Sequence, residues 1–250
     1  MTISLQQLKK TSLIILLAFS AVSCEELFHL TQQRPTSIGL TQQEIASGMR
    51  ESLIVGARNA VGDLTKEGGF YNNQLIRIPF PPEAERMATT LRSAGMGKLV
   101  DEFVETLNRS AEVASELALD VFVGAVRQMS FQNVMDIFMG PEDAATQYLI
   151  RTTSDSLTNA FMPPVRQAID QVELTAVWNP LVSAYNKIPF TTQVNPNLEE
   201  YVTEKALQGL FFTVAKEEAL IRENPQARTT ELLRRVFGDR DRRMQSENQN

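Results

Sequence analysis

The stretch from Asn197 to Gly238, NLEEYVTEKALQGLFFTVAKEEALIRENPQARTTELLRRVFG, decides the fold of this chain. Apolar residues recur along its first part every three or four positions, which is typical of a helix with one buried face. Asn197 is placed to cap that helix. Asn224 ends it, because the residue before Pro225 is pushed out of the helical region. One of the threonines at 229–230 then begins a second, shorter helix that Gly238 ends.

Charged residues fall on and beside the apolar face of the first helix. Glu217 lies on that face, and an unpaired buried carboxylate is costly, so we expect Glu217 to be paired with an arginine. Arg228, across the proline turn, is the first candidate partner, and Arg109 is the next. Glu218 and Arg222 are four residues apart and predict a partly exposed pair. This grouping is either a structural ion pair or a catalytic acid, and the pattern favours the structural role.

Two further polar groupings are candidates for a site. Asn108 and Arg109 precede Glu112 by one helical turn, and this spacing favours a solvated face of salt bridges over a binding site. Asp143 and Thr146 stand where another helix begins, and compensation of the helix dipole is the simpler explanation for the acid.

Most other patterned segments also predict helices. A long helix is expected from about Lys98 to Met129, and Gly140-Pro141 begins another that Pro163-Pro164 should kink or break. Ile-Pro-Phe occurs at 78–80 and again at 188–190, so the two segments form either a short two-stranded ladder or two loops that each insert a phenylalanine. The loops are slightly preferred. The predicted fold is all-α and irregular, with helices of unequal length.

The N-terminus has the pattern of a signal peptide covering residues 1–23. Lys9 and Lys10 precede an apolar run at 13–19 that is too short to span a membrane. The following AVSC resembles a lipoprotein signal, which implies a diacylglyceryl thioether on Cys24. A lone free thiol would be unusual in an oxidising compartment, and Cys24 is the only cysteine. The alternative is a plain signal peptide with an incidental cysteine.

The remaining boundaries follow from composition and capping signals. Residues 24–40 have no sustained period and predict a flexible tether, and residues 41–238 predict one helical domain. Thr41 and Glu44 form a predicted capping box at the start of the first helix. The polar residues 239–250 predict a disordered tail.

Net charge excludes some partners. The full chain carries a net charge of −6, and removing residues 1–23 takes away Lys9 and Lys10 and no acid, which makes it −8. Nucleic acids and anionic lipids both attract basic proteins, so neither is an expected electrostatic partner. We expect membrane attachment through the acyl chains on Cys24 instead.

The residue types restrict the chemistry. His29, in the tether, is the only histidine, so a Ser-His-Asp triad, a Cys-His pair and a histidine-bearing zinc site are excluded from the domain. No glycine-rich phosphate-binding motif occurs. No cofactor and no metal are therefore predicted.

Several motifs together carry a family resemblance. They are GGFYNN at 68–73, IRIPFPP at 76–82, NRSAEVASE at 108–116, GPEDAATQYL at 140–149, YVTEKALQGLF at 201–211 and EEALIRENPQARTTELLRRVFG at 217–238. In this order, from about Leu53 to Gly238, the chain resembles the family known as domain of unknown function 4197. The resemblance implies a secreted, mostly helical bacterial protein and implies no activity. It also strengthens Asn108, Arg109 and Glu112 as candidate site residues, since they match one of the motifs.

Three functional hypotheses remain. The first is a non-catalytic envelope lipoprotein, at the outer membrane facing the periplasm or at the cell surface, that binds a protein or an apolar ligand. The second is a carboxylate-dependent hydrolase, which needs two carboxyl groups about 5–10 Å apart in a cleft. The third is a lipid carrier with an apolar cavity between its helices. An enzyme is the less favoured class because the usual catalytic groups are missing.

Overall fold

The computed structural model describes residues 39–132, 134–191, 193–194, 196–247 and 249, apart from the side chain of residue 247. Within this part of the chain there are nine α-helices, two short 3-10 helices and no strand. The prediction of an irregular all-α fold is confirmed. The predicted signal peptide, Cys24 and nearly all of the predicted tether lie outside the described residues.

The α-helices range from six to 28 residues in length. Their bounds are α1 Gln42–Leu64, α2 Glu85–Ser93, α3 Gly97–Leu117, α4 Leu119–Gln128, α5 Val134–Met139, α6 Ala144–Gln171, α7 Leu174–Asn186, α8 Leu198–Glu223 and α9 Glu231–Glu247. The 3-10 helices are Pro82–Ala84, before α2, and Pro225–Ala227, between α8 and α9. No described helix has both the length and the apolar character that a membrane span requires.

The core forms around α8, which packs against α1, α6 and α3. Two glycines of α1 permit close helix approaches. A Cβ added to Gly48 would lie 2.7 Å from Cγ1 of Val236 in α9, and one added to Gly56 would lie 3.2 Å from Cβ of Glu217 in α8. Close packing therefore offsets the cost of glycine inside a helix.

Capping residues set the helix ends that the sequence predicted. Thr41 Oγ1 accepts from the Glu44 N–H at 3.2 Å, and Glu44 Oε2 accepts from the Thr41 N–H at 2.9 Å, which completes the capping box. Asn197 Oδ1 accepts from a backbone N–H in the first turn of α8, at 3.1 Å. Thr230, rather than its neighbour, caps α9 by accepting from the Leu233 N–H at 3.2 Å.

The predicted long helix from Lys98 to Met129 is wrong, because the chain turns at Ala118. There α3 ends, and the Ala118 N–H is shared between the carbonyls of Ala114 and Glu116. The turn redirects α4 so that it packs against α1 and α6. Phe122 of α4 then lies 5.9 Å, centroid to centroid, from Phe211. Tertiary packing outweighs the continuous helical pattern here.

Pro163 and Pro164 do not break α6, contrary to one of the outcomes expected from the sequence. The two prolines remove the N–H groups that would bond to the carbonyls of Asn159 and Ala160. Both of those residues are exposed, so water can bind the freed carbonyls. The flanking turns of α6 are held in the core by buried side chains such as Phe161.

The two Ile-Pro-Phe segments form no ladder in the described residues and differ in environment. Phe80 is buried, with its ring centroid 5.0 Å from that of Phe103 and 5.9 Å from that of Trp178. Phe190 is fully exposed and has a positive φ of 68°. Only the first of the two loops therefore inserts its phenylalanine.

The predicted disordered tail is also wrong over most of its length, because α9 continues past Gly238 to Glu247. Gly238 has helical neighbours on both sides and does not end the helix. The reason is that Arg240 and Asp241 make contacts with buried groups, as described below.

Candidate functional site

The structure separates the predicted polar residues into two groups. Asn108, Arg109 and Glu112 lie on α3, beside the loop formed by residues 68–80. The second group lies where α6, α8 and α9 approach the end of α5, and it contains Thr146, Arg222 and Arg228. Asp143 and Glu217 belong to neither group.

Asn108 holds the loop before α2 against α3. Its side chain is buried, and Oδ1 accepts from the Ile78 N–H at 2.8 Å. Its Nδ2 donates to the Ile78 carbonyl at 2.8 Å and to the Val104 carbonyl at 2.7 Å. One side chain thus satisfies both backbone groups of Ile78, as a neighbouring strand would. Asn108 has a structural role and is not available to a ligand.

Arg109 and Glu112 form a half-buried pair rather than a solvated face. Glu112 is only 2% exposed, whereas Arg109 is 48% exposed. Arg109 Nη1 donates to Glu112 Oε2 at 2.8 Å, and Glu112 Oε1 accepts from the Phe70 N–H at 3.3 Å. The buried carboxylate therefore links the 68–73 loop to Arg109 and orients the guanidinium.

Arg109 lines a cleft of about 690 Å³ between this loop and α3. We call it the Arg109 cleft. The other lining residues are Thr65, Glu67, Gly68, Tyr71, Asn72, Glu102, Glu105, Thr106, Glu112 and Val172. Its size is that of a site for a small molecule. Gly68 has φ of 76°, a conformation that favours glycine, so the loop wall has a specific backbone shape.

Tyr71 and Asn72 were not singled out from the sequence as site residues. The guanidinium of Arg77 covers the Tyr71 ring at 4.1 Å from its centroid, which fixes the ring at the wall of the cleft. The signal that could have found them was the GGFYNN motif itself, since glycines permit turns and binding residues often lie on loops.

The second group is a buried ionic centre formed around Glu218 and Arg222. The sequence correctly predicted this pair but placed it partly in solvent, whereas both side chains are almost fully buried. Arg222 Nε lies 2.8 Å from Glu218 Oε1. The remaining Arg222 donors bond to the carbonyls of Phe138 at 3.0 Å and Ile137 at 3.2 Å, at the end of α5.

Glu218 also caps α6 from a different helix. Its carboxylate accepts from the N–H groups of Ala145 at 3.0 Å and Thr146 at 2.8 Å, and from the Thr146 hydroxyl at 2.6 Å. Negative charge is stabilising at a helix N-terminus. Asp143, the acid expected to fill this role, makes no side-chain capping bond and instead accepts from Gln147 at 2.9 Å.

The predicted pairing of Glu217 with an arginine is wrong. Glu217 is only half-buried, and its Oε2 accepts from Asn59 Nδ2 of α1 at 2.7 Å. Glu218, one residue on, points into the core instead. Neither Arg228 nor Arg109 contacts Glu217, because Arg228 is paired with Asp241 and Arg109 with Glu112. The predicted apolar stripe is correct at this end of the helix, since Val214 and Ile221 are both buried, but Glu218 rather than Glu217 occupies the buried position between them.

Arg228 is buried and closes the turn between α8 and α9. It donates to the carbonyls of Ile221 at 2.9 Å and Arg222 at 2.8 Å, and its Nη1 lies 2.6 Å from Asp241 Oδ2. Arg240, which immediately precedes Asp241 in α9, donates to the carbonyls of Phe138 at 2.9 Å and Gly140 at 3.2 Å.

Burial lowers the pKa of Arg240 from its usual value, and the nearby charges of Arg222 and Arg228 act in the same direction. Three arginines thus converge on carbonyls at the end of α5 and on the α8–α9 turn. Arg240 and Asp241 were missed in the sequence because the segment after Gly238 is so polar. The spacing from Val236 to Arg240 continues the buried stripe of α9 and was the available signal.

Every buried side-chain nitrogen and oxygen in the described part of the chain has a hydrogen-bond partner. The ionic centre is therefore saturated by the protein itself. Among the described residues, no group of three or more histidine, cysteine, aspartate or glutamate side chains has an arrangement that could hold a metal ion.

The profile of one protein family, described as "Protein of unknown function (DUF4197)", matches residues 39–238. The chain belongs to this family. No curated protein and no solved structure matches the chain.

The DUF4197 match covers the whole Arg109 cleft, and the motifs GGFYNN and NRSAEVASE contribute Gly68, Tyr71, Asn72, Arg109 and Glu112 to its lining. It also covers Glu218, Arg222 and Arg228. The match ends at Gly238, before Arg240 and Asp241, although α9 continues.

Proposed function

We propose that this DUF4197 chain is an envelope lipoprotein whose helical domain binds a small polar ligand in the Arg109 cleft and catalyses no reaction. The observation that carries the binding role is the state of Arg109. Its Nη1 is held by buried Glu112, whereas its Nε and Nη2 have no partner among the described residues. A fixed, half-exposed guanidinium is suited to two parallel hydrogen bonds from a carboxylate or phosphate group.

The other charges of the cleft narrow the ligand class. Glu67, Glu102 and Glu105 line the same cleft, so the ligand also presents donors such as amines or hydroxyls. A purely anionic molecule would meet four carboxylates, including Glu112, for one arginine. We therefore favour a small ligand that carries both an acidic group and donor groups.

The engagement of Glu112 favours binding over hydrolysis. A carboxylate-dependent hydrolase needs two carboxyl groups that can each exchange a proton or attack a substrate. Both oxygens of Glu112 are already bonded, one to Arg109 and one to the Phe70 N–H. Glu102 and Glu105 are exposed to water at the rim.

The binding role is tested by ligand-dependent thermal shifts. We expect some members of a set of amino acids, dipeptides, amino sugars and sugar phosphates to raise the melting temperature of the wild type and not that of Arg109→Gln. Arg92→Gln is a matched control, because Arg92 is 47% exposed and makes one exposed ion pair outside the cleft, with Asp101 at 2.7 Å. Equal shifts for wild type and Arg109→Gln would contradict the cleft assignment.

The lipoprotein role rests on the AVSC sequence before residue 25 and on the single cysteine. We expect palmitate to label the wild-type protein in cells and globomycin to block its processing. The Cys24→Ala variant should lose both the label and membrane attachment. A variant that stays labelled and membrane-bound would show that the anchor is elsewhere.

A further inference from the structure

A second concave surface lies on the other side of α8 from the α1 contact, between α8 and α6. Its volume is about 600 Å³, and its apolar lining is contributed by Ile150 of α6 and by Leu207, Phe211, Phe212, Ala215 and Ala219 of α8. We call it the α6–α8 groove. The lining residues on α8 run from Glu204 to Ala219, which corresponds to about 22 Å along the helix axis.

Two adjacent phenylalanines form the apolar centre of the groove. Phe211 is mostly buried and its ring packs against that of Phe122, so it provides a fixed floor. Phe212 is 36% exposed and is one of the few large apolar side chains at the surface. The ammonium of Lys216 lies 4.5 Å from the Phe212 ring centroid. A long lysine side chain can move aside, so the ring can be uncovered without repacking the core.

The ends of the groove are acidic. Glu204 lies at one end, Glu142 and Asp143 lie where α6 begins, and Lys216 is the only cation among the described residues of the lining. Three acids and one base give the lining a net charge of −2. A fatty acid or another apolar anion would be repelled by these carboxylates, whereas a positively charged partner would be attracted.

We propose that the α6–α8 groove binds an amphipathic helix of a partner protein, with apolar side chains on Phe211 and Phe212 and basic side chains towards the acidic ends. The lining along α8, with its acidic end included, is about 22 Å long and matches about 15 residues of helix. Apolar side chains three and four residues apart on the partner helix would then occupy the groove, as in other helix-in-groove complexes. The proposal is independent of the ligand of the Arg109 cleft.

The test uses a fluorescent synthetic peptide of leucine and lysine, about 15 residues long and patterned as an amphipathic helix. Binding to the full chain in phosphatidylcholine nanodiscs is measured by anisotropy, with empty nanodiscs subtracted. We expect saturable binding that weakens as salt is added, because charged ends contribute. Phe212→Ser should weaken binding about tenfold, as expected for an aromatic residue at the centre of an interface.

Leu220→Ser is the matched control, because Leu220 is 45% exposed on the same helix but does not line the groove. It should leave peptide binding unchanged, and so should Arg109→Gln. Four outcomes would overturn the proposal: equal binding of a leucine–glutamate peptide, no effect of Phe212→Ser, stoichiometric palmitate binding that displaces the peptide, or a dimer of the chain that Phe212→Ser dissociates.

Discussion

At the scale of single residues, Glu217 and Glu218 are adjacent in sequence but lie in different environments. Glu218 is buried and accepts from Arg222 and from the first turn of α6, whereas Glu217 is half-buried and accepts from Asn59. Successive residues point about 100° apart on a helix, so one step moves a side chain from the boundary into the core. Only the packing of α8 against α1 and α6 decides which of the two is inside.

We therefore expect Glu218→Gln to destabilise the protein far more than Glu217→Gln. The first change leaves Arg222 buried without its counter-charge, and breaking a buried pair in this way costs about 3–5 kcal/mol. The second change keeps a hydrogen-bond acceptor for Asn59 and should cost within about 0.5 kcal/mol. Urea unfolding followed by circular dichroism measures both. Equal midpoints for the two variants would contradict the buried assignment.

Replacing both members of the pair provides a second test of the ionic centre. The Glu218→Met, Arg222→Met double variant should be more stable than Glu218→Gln, since no charge is stranded. It should still be less stable than the wild type. The reason is that the N–H groups of Ala145 and Thr146 and the carbonyl of Ile137 lose partners. If urea unfolding shows the double variant to be as stable as the wild type, the capping bonds of Glu218 contribute nothing to stability.

Tyr201 should make stability depend on pH in the alkaline range. Burial raises the pKa of Tyr201 to about 12, and the charges of Glu83, Glu204 and Glu85 add to this effect. The folded state then binds the phenolic proton more tightly than the unfolded state, whose pKa is about 10. The stability that depends on the Tyr201 proton is fully present below pH 10 and is lost between about pH 10 and 12. The wild type should therefore lose stability relative to Tyr201→Phe over this window, and parallel stability curves would contradict the shift.

At the scale of secondary-structure elements, α1 provides two glycines in opposite situations. Gly48 faces Val236 at a distance that leaves no room for a methyl group, whereas an added Cβ at Gly62 has no atom of the described residues within 4 Å. We expect Gly48→Ala to destabilise by about 1–3 kcal/mol through overpacking. Gly62→Ala should stabilise by about 0.5–1 kcal/mol, because alanine favours helix. Thermal melts of both variants test this contrast, and a neutral Gly48→Ala would show that α9 can move away.

The last turns of α9 are a second element whose role can be measured. Deleting residues 239–250 removes Asp241 from buried Arg228 and removes the bonds of Arg240 to Phe138 and Gly140. We expect a loss of about 3 kcal/mol or more, since a buried arginine is left without its partner. Deleting only residues 245–250 should have little effect. If the two truncations unfold at the same urea concentration, the helical tail does not support the domain.

At the scale of the whole molecule, the described residues from Thr41 onwards form one compact unit. We expect a chain that begins at Leu40 to melt within a few degrees of one that begins at Cys24, because the sequence of the predicted tether has no helical or strand period. Differential scanning calorimetry of the two proteins measures this. A large drop in melting temperature for the shorter chain would show that residues 24–39 pack on the domain.

Much of the fold could be predicted because it depends on short-range signals. The capping box at Thr41, the cap at Asn197 and the stop before Pro225 each involve residues within one helical turn, and each is present in the structure. The break at Ala118 and the continuation through Pro163 could not be predicted, since both depend on which surfaces the flanking turns meet. For the candidate site, the sequence found Arg109 and Glu112 but not Tyr71 and Asn72, because only the fold brings that loop beside α3.

The sequence by itself determined that the domain is helical, that Arg109 stands one turn from Glu112, and that Glu218 stands one turn from Arg222. Helical period and capping need only neighbouring residues, so these features do not depend on the rest of the chain. Tertiary structure alone decided that Glu218 rather than Glu217 is buried, and that Arg228 pairs with Asp241. Burial and long-range pairing depend on where another helix lies, and the strength of a charged pair depends on how far that packing excludes water.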